Sequence, residues 1–187
     1  MKRNTLAILF FIFVLAFLLR VLYLPQNALS FYYDQARDAF IVKQILSGDL
    51  KILGPPSSTP GLFHGVLYYY ILAPAYWLGA GNPTIVAYWT AFLNSATVFI
   101  IYYFAYLLTK KRAVGLLSAF LFAISFEATQ YAAWLSNPTL AIWSVPLIYL
   151  GLWMWLKEKK PLGPIISAIG LGVSIQAEIF LGYHICV

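Results

Sequence analysis

Residues 5–24 read TLAILFFIFVLAFLLRVLYL. A helix that crosses a bilayer needs about 20 mainly apolar residues, and this run supplies them with one charge, Arg20, near its far end. A secretory leader would begin in the same way, with Lys2-Arg3 ahead of an apolar stretch. The residues that follow, Leu22-Tyr23-Leu24-Pro25, are bulky where a cleavage site needs small side chains. The run is therefore read as a retained spanning helix, and Arg20 is expected to reach back toward the head groups.

Composition extends that reading to the whole chain. Of 187 residues, 62% are hydrophobic and 10% are charged, with a mean hydropathy of +0.80. Soluble domains carry about 25% charged residues, so a water-soluble globular fold is excluded. Aromatic residues make up 18%, which suits a chain with many membrane–water interfaces. The net charge of +6 sits in short clusters, Lys2-Arg3, Lys110-Lys111-Arg112 and Lys157-Glu158-Lys159-Lys160, and forms no stripe of the kind that binds nucleic acid. The lone Cys186 excludes an internal disulfide.

Five segments have the length and apolarity to span: about 5–24, 84–108, 113–135, 138–156 and 161–181. A shorter apolar stretch, Gly65–Leu78, contains Pro74. The positive-inside rule puts the three basic clusters on the cytoplasmic side, which requires an even number of crossings between neighbouring clusters. That condition holds only if Gly65–Leu78 does not cross, so it is read as a Tyr-rich helix at the outer interface. The fold class is thus all-α and polytopic, a single transmembrane domain over residues 1–187. The N-terminus is cytoplasmic, and the loop from Pro25 to about Pro83 is extracytoplasmic.

That loop holds the candidate chemistry. Phe31-Tyr32-Tyr33-Asp34-Gln35-Ala36-Arg37-Asp38-Ala39-Phe40 opens a short helix expected from Asp34 to about Ser47, stopped by Gly48. At about 100° per residue, Asp34, Asp38, Ile41 and Ile45 share one face. Both carboxylates then lie on the apolar side, with Arg37 at its edge and able to pair with either. A carboxylate held there could serve as a general base toward a hydroxyl or amine. The alternative is that Asp34 is only a helix N-cap and Asp38–Arg37 a solvated pair. Asn137-Pro138 reads as the cap and first turn of the fourth span. Glu127 and Gln130 lie one turn apart near the same surface, and Gln176 and Glu178 lie late in the fifth span. His64 and His184 are too isolated to argue a metal site. No Walker sequence, Gly-rich phosphate loop, Ser/His/Asp arrangement or CxxC is present.

The order of these features resembles the N-terminal half of GT-C glycosyltransferases, in particular the family 39, protein O-mannosyltransferase-like and 4-amino-arabinose transferase-like branch. The matching stretches are Tyr33-Asp34-Gln35-Ala36-Arg37-Asp38-Ala39, Ile45-Leu46-Ser47-Gly48-Asp49-Leu50, Leu53-Gly54-Pro55, Phe63-His64-Gly65-Val66-Leu67-Tyr68-Tyr69-Tyr70 and Gly81-Asn82-Pro83. The resemblance implies a GT-C-type N-terminal topology with interfacial helices in the first outer loop. It implies transfer of a sugar from a polyprenyl- or dolichyl-phosphate donor to an envelope lipid, glycan or protein acceptor on the outer membrane face. It implies Asp34 as the catalytic carboxylate. Arg37 or His64 would hold the donor phosphate, and Asp38 and Asn137 would contact substrate. The chain departs from the family pattern where Asn137 replaces an acidic residue and His64-Gly65 replaces a basic–proline pair. The first departure leaves a divalent metal unassigned. Family members carry about twice as many spans, so a C-terminal half or partner subunit is expected to complete the enzyme. A non-catalytic membrane module, such as a lipid-carrier binding subunit or transporter fragment, is the other class the sequence allows.

Overall fold

The computed structural model of the protein describes residues 3–26 and 29–178. Within them the regular structure is helical, apart from an isolated bridge between Pro56 and Phe63 in the loop from Ser47 to Val66. Helix α1 spans Arg3–Val21, α2 Tyr33–Leu46, α3 Leu67–Leu78, α4 Pro83–Ser95 and α5 Thr97–Thr109. Then come α6 Arg112–Ala123, α7 Phe126–Ala132, α8 Ala141–Leu156 and α9 Gly163–Ala177.

Local chemistry sets most of the boundaries. Asn82 accepts the Thr84 N–H at 2.9 Å, and Pro83 occupies the first turn of α4, where its missing N–H costs nothing. Between α4 and α5, Ala96 keeps helical angles (φ −62°, ψ −15°), so the two form a rod of 27 residues. Lys110 ends that rod in the left-handed conformation (φ 56°). Among the described residues, three helices are long and apolar enough to cross a membrane alone: Arg3–Val21, Pro83–Thr109 and Asn137–Leu156, the last counting the 3-10 turn ahead of α8. The segment expected as a third span, 113–135, is broken. Helices α6 and α7 meet at a 58° bend and would make a fourth crossing only together. The fifth expected span is a 15-residue helix, α9, and residues 179–181 at its expected end lie outside the described residues.

Ring contacts give the helix directions. Phe13 packs on Phe99 at 5.3 Å and on Phe92 at 5.7 Å, and Phe17 packs on Phe92, so α1 runs antiparallel to the α4–α5 rod. The last turn of α1 reaches the last turn of α6, so these two are parallel. Helices α8 and α9 form an antiparallel hairpin with almost no side chain between them. A Cβ on Gly151 would meet Ser167 N and lie 2.7 Å from Gly163 O, and one on Gly163 would lie 2.5 Å from Trp155 N. Ser144 and Ser174 hydroxyls close the seam at 2.8 Å. Small residues at this spacing let helix backbones touch, the usual solution in lipid. Lys110 pairs with Glu158, and Lys160 donates to Tyr103 Oη at 2.7 Å, so the α5–α6 and α8–α9 turns are joined. Arg3, Lys110–Arg112 and Lys157–Lys160 therefore gather at one end of the bundle.

The opposite end holds the largest cluster of buried residues. It joins the end of α1 with α2, α3, the start of α4, residues 133–140 and the end of α9. Helix α3 packs into it through most of its length, leaving Trp77 and Leu78 exposed at its end. Its 12 residues extend about 18 Å, well short of a bilayer core. Its Tyr68, Tyr69, Leu72 and Tyr76 are buried against neighbours.

Arg20 departs from expectation. It is fully buried and does not reach toward the end of the bundle. Its Nη1 donates to Ala16 O at 3.0 Å and to Ala123 O at 3.1 Å, Nη2 donates to Phe122 O at 3.4 Å, and the guanidinium lies over the Phe122 ring. Two carbonyls in the last turn of α6, where it breaks, thus accept from a cation on α1.

Candidate functional site

Helix α2 begins one residue earlier than expected, and its phase differs. Tyr32 is the N-cap residue and its N–H donates to Gln35 Oε1 at 2.9 Å. Gln35 thereby turns inward, and the buried face becomes Gln35, Asp38, Val42 and Ile45. Asp34 and Asp38 do not share the apolar side. Asp34 lies in the first turn with its side chain 67% exposed, while that of Asp38 is 4% exposed. Asp34 is therefore not the N-cap, and the Asp38–Arg37 pair is not solvated.

Arg37 joins the two carboxylates. Nε and Nη2 donate to Asp38 Oδ1 at 2.9 and 2.7 Å, and Nη1 donates to Asp34 Oδ1 at 2.8 Å. On the other side of Asp38, the Tyr69 hydroxyl of α3 donates to Oδ1 at 3.4 Å. Burial raises the Asp38 pKa, partly opposed by hydrogen bonding to Arg37 and by its charge. Burial would lower the Arg37 pKa, but Asp38 and Asp34 outweigh it and raise it. Burial and the Asp38 charge push Tyr69 up and Tyr76 up to about 12. Tyr68, fully buried on the same helix, has a hydroxyl with no hydrogen-bond partner among the described residues.

A guanidinium carries five N–H donors, and the three bonds above use three of them. Arg37 is thus anchored from inside by Asp38 and joined to the exposed Asp34, with two N–H groups left outside these bonds. The Asp34–Arg37 pair is largely in solvent and contributes little to stability. It is free to exchange for another anion.

His64 and Asn137 belong to a second group, built around the end of α9. His64 closes a small loop, with its N–H donating to Pro55 O at 2.8 Å and its carbonyl accepting from Gly54 N at 3.2 Å. Its largely buried Nδ1 stands 3.7 Å from Glu178 Oε1, beyond hydrogen-bond range and an ion pair only with His64 protonated. Gly65 N donates to Gln176 O at 2.8 Å, and a Cβ at Gly65 would lie 2.7 Å from Gln176 Cα, so no side chain fits there. Asn137 is not an N-cap. Ser136 holds that position, and the buried Asn137 amide donates to Ala177 O. The two groups meet across the start of α3, where Leu67 N donates to Gln176 Oε1 at 3.2 Å, two residues before Tyr69. Tyr69 and Gln176 are the participants that sequence reasoning missed as site members. The Tyr68-Tyr69-Tyr70 run signalled only an interface.

Among the described residues, no three of His, Cys, Asp and Glu converge on a point where a metal ion could sit. Arg37 occupies the space between the two aspartates, so this donor set does not fit a divalent metal. A cleft of about 650 Å³ lies at the same end, lined by Tyr23, Tyr32, Glu127, Gln130, Tyr131 and Trp134 among others. No family model, curated protein or solved structure matches the chain.

Proposed function

We propose that the chain acts in a membrane glycosyltransferase of the GT-C kind, as the enzyme or its N-terminal part. It transfers a sugar from a polyprenyl- or dolichyl-phosphate donor to an envelope acceptor on the outer face. Its basic end faces the cytoplasm, in the plasma membrane. One observation carries the reading: an exposed carboxylate, Asp34, is paired to an arginine that a buried carboxylate, Asp38, holds in place, at the non-basic end of an apolar bundle. Arg37 receives the donor phosphate through its unused N–H groups, with Asp38 and Tyr69 fixing its plane. Asp34, displaced from Arg37 by the phosphate, takes the proton of the acceptor hydroxyl. The acceptor oxygen attacks the anomeric carbon, the bond from that carbon to the phosphate oxygen breaks, and the charge left on the lipid phosphate rests on Arg37.

Native mass spectrometry of the full chain with polyprenyl phosphate tests this. Arg37→Ala should lower lipid occupancy at least tenfold. Asp34→Asn should raise it, because the competing anion is gone, and should abolish sugar transfer. Equal occupancy in all three proteins refutes the reading.

The bent α6–α7 pair is the observation that favours a transport module, because transporters build sites on broken helices. The buried polar group nearest in kind, Asn94, is however committed to the protein, donating to Ala132 O at 3.3 Å and to Thr139 Oγ1 at 2.9 Å. A silent Asp34→Asn together with a substrate-specific defect in an Asn94 variant would move the reading to transport.

A further inference from the structure

The 58° bend turns α7 away from α6, and the cleft lies between α7 and the segment that leaves α1. Its volume of about 650 Å³ is within the usual 300–1,000 Å³ of small-molecule sites. Tyr131 and Trp134 present their rings side by side, with centroids 5.3 Å apart and planes 51° apart, and each residue is 41% exposed. Glu127, Thr129 and Gln130 line the same wall, and their side chains make no hydrogen bond or ion pair among the described residues. A carboxylate, a hydroxyl and an amide left unpartnered beside two aromatic faces suit a ligand with one apolar face and a rim of hydroxyls. An acyl chain would gain from the rings, but it would strip water from Glu127 with no return.

We infer that this cleft is a carbohydrate subsite, holding a sugar ring stacked on Trp134 and Tyr131 with its hydroxyls bonded to Glu127 and Gln130. Tyr32 on its rim is the N-cap residue of α2, the helix whose first turn carries Asp34. The inference deepens the transferase reading and can fail separately from it.

Saturation-transfer NMR on the full chain in nanodiscs free of glycolipid and glycoside detergent tests it. The probes are methyl β-glucopyranoside, methyl α-mannopyranoside and methyl β-arabinopyranoside. At least one should receive saturation from the protein. Trp134→Ala should abolish that signal, Glu127→Gln should weaken binding about tenfold, the weight of one charge-assisted hydrogen bond, and Trp155→Ala should leave it unchanged. Glu127 and Trp134 are exposed, and circular dichroism checks each fold. The conservative Trp134→Phe should keep part of the binding. Absence of saturation for all three glycosides, or lipid acyl protons in contact with the Trp134 indole in their place, overturns the proposal. If a glycoside binds as described but Asp34→Asn leaves transfer intact, the subsite stands and the base assignment falls. If transfer runs and Trp134→Ala changes neither kcat nor KM, the subsite falls and the transferase stands.

Discussion

Replacing Arg20 with methionine tests whether the bend between α6 and α7 is built or incidental. Arg20 is the sole hydrogen-bond donor to Ala123 O among the described residues, and it supplements a long 3.3 Å bond from Ser125 N at Phe122 O. Ala16 O loses less, because it is already inside α1. An orphaned buried carbonyl costs about 1–3 kcal/mol, and the cation over the Phe122 ring is worth about 0.5–2 kcal/mol. Relief from burying a guanidinium returns part of this, so Arg20→Met should lose about 1–3 kcal/mol net. Unfolding in mixed micelles with increasing dodecyl sulfate, followed by tryptophan fluorescence, reads the loss. Spin labels at Arg112 and Gln130, in a Cys186→Ser background, read the geometry: as α7 swings toward the line of α6, their separation lengthens. A loss under about 0.5 kcal/mol with an unchanged separation would refute the reasoning. It would mean that Arg20 is solvated, as a snorkelling side chain would be.

Other perturbations have defined signs. Gly151→Val places carbon against the backbone of Ser167 and Gly163. Opening the seam by about 1 Å should cost about 1–3 kcal/mol in the same unfolding assay, whereas a valine at Gly172, which has open space around it, should cost far less. Asp38 has a pKa raised above 3.8 by burial, so its contribution to stability is greatest below that value and is lost as pH rises through the folded pKa. Asn does not titrate, so the melting temperature of Asp38→Asn relative to wild type should climb as pH goes from about 4 toward 7; a flat or falling difference contradicts the burial. Glu158→Gln breaks the pair with Lys110 at the exposed basic end and should leave the unfolding midpoint within error, since surface pairs contribute little.

The sequence was most legible where a property is local. Apolar length located α1, the α4–α5 rod and α8. The short apolar stretch Gly65–Leu78 gave a helix, α3, of 12 residues. What was illegible depends on distant partners. No proline or glycine lies near Ile124, and the local signal at the break is Ser125, which caps α7 by accepting the Ala128 N–H, with Glu127 in the first turn. The carbonyls at the end of α6 accept from Arg20, more than a hundred residues earlier. The phase of α2 could not be had from spacing alone, because Asp34 and Asp38 are four apart either way. Gln35 turning inward and Tyr69 arriving from α3 decide which carboxylate is buried. His64, Gly65 and Asn137 found their surroundings only when the end of α9 came to rest among them.

The seam between α8 and α9 has a consequence for biogenesis. Facing lipid alone, α9 would present Ser167 and Ser174 and a glycine-notched face with nothing to fill it, over 15 helical residues. Hydrocarbon offers those hydroxyls no partner and those notches no packing. Once Ser144 and the Gly151 backbone are in place, the Ser174 hydroxyl has its partner and the notch at Gly163 is filled. The two segments should therefore leave the insertion machinery as one hairpin. A ribosome stalled before α9 would hold α8 at the channel, waiting for its mate, while a ribosome stalled after α9 would release both together.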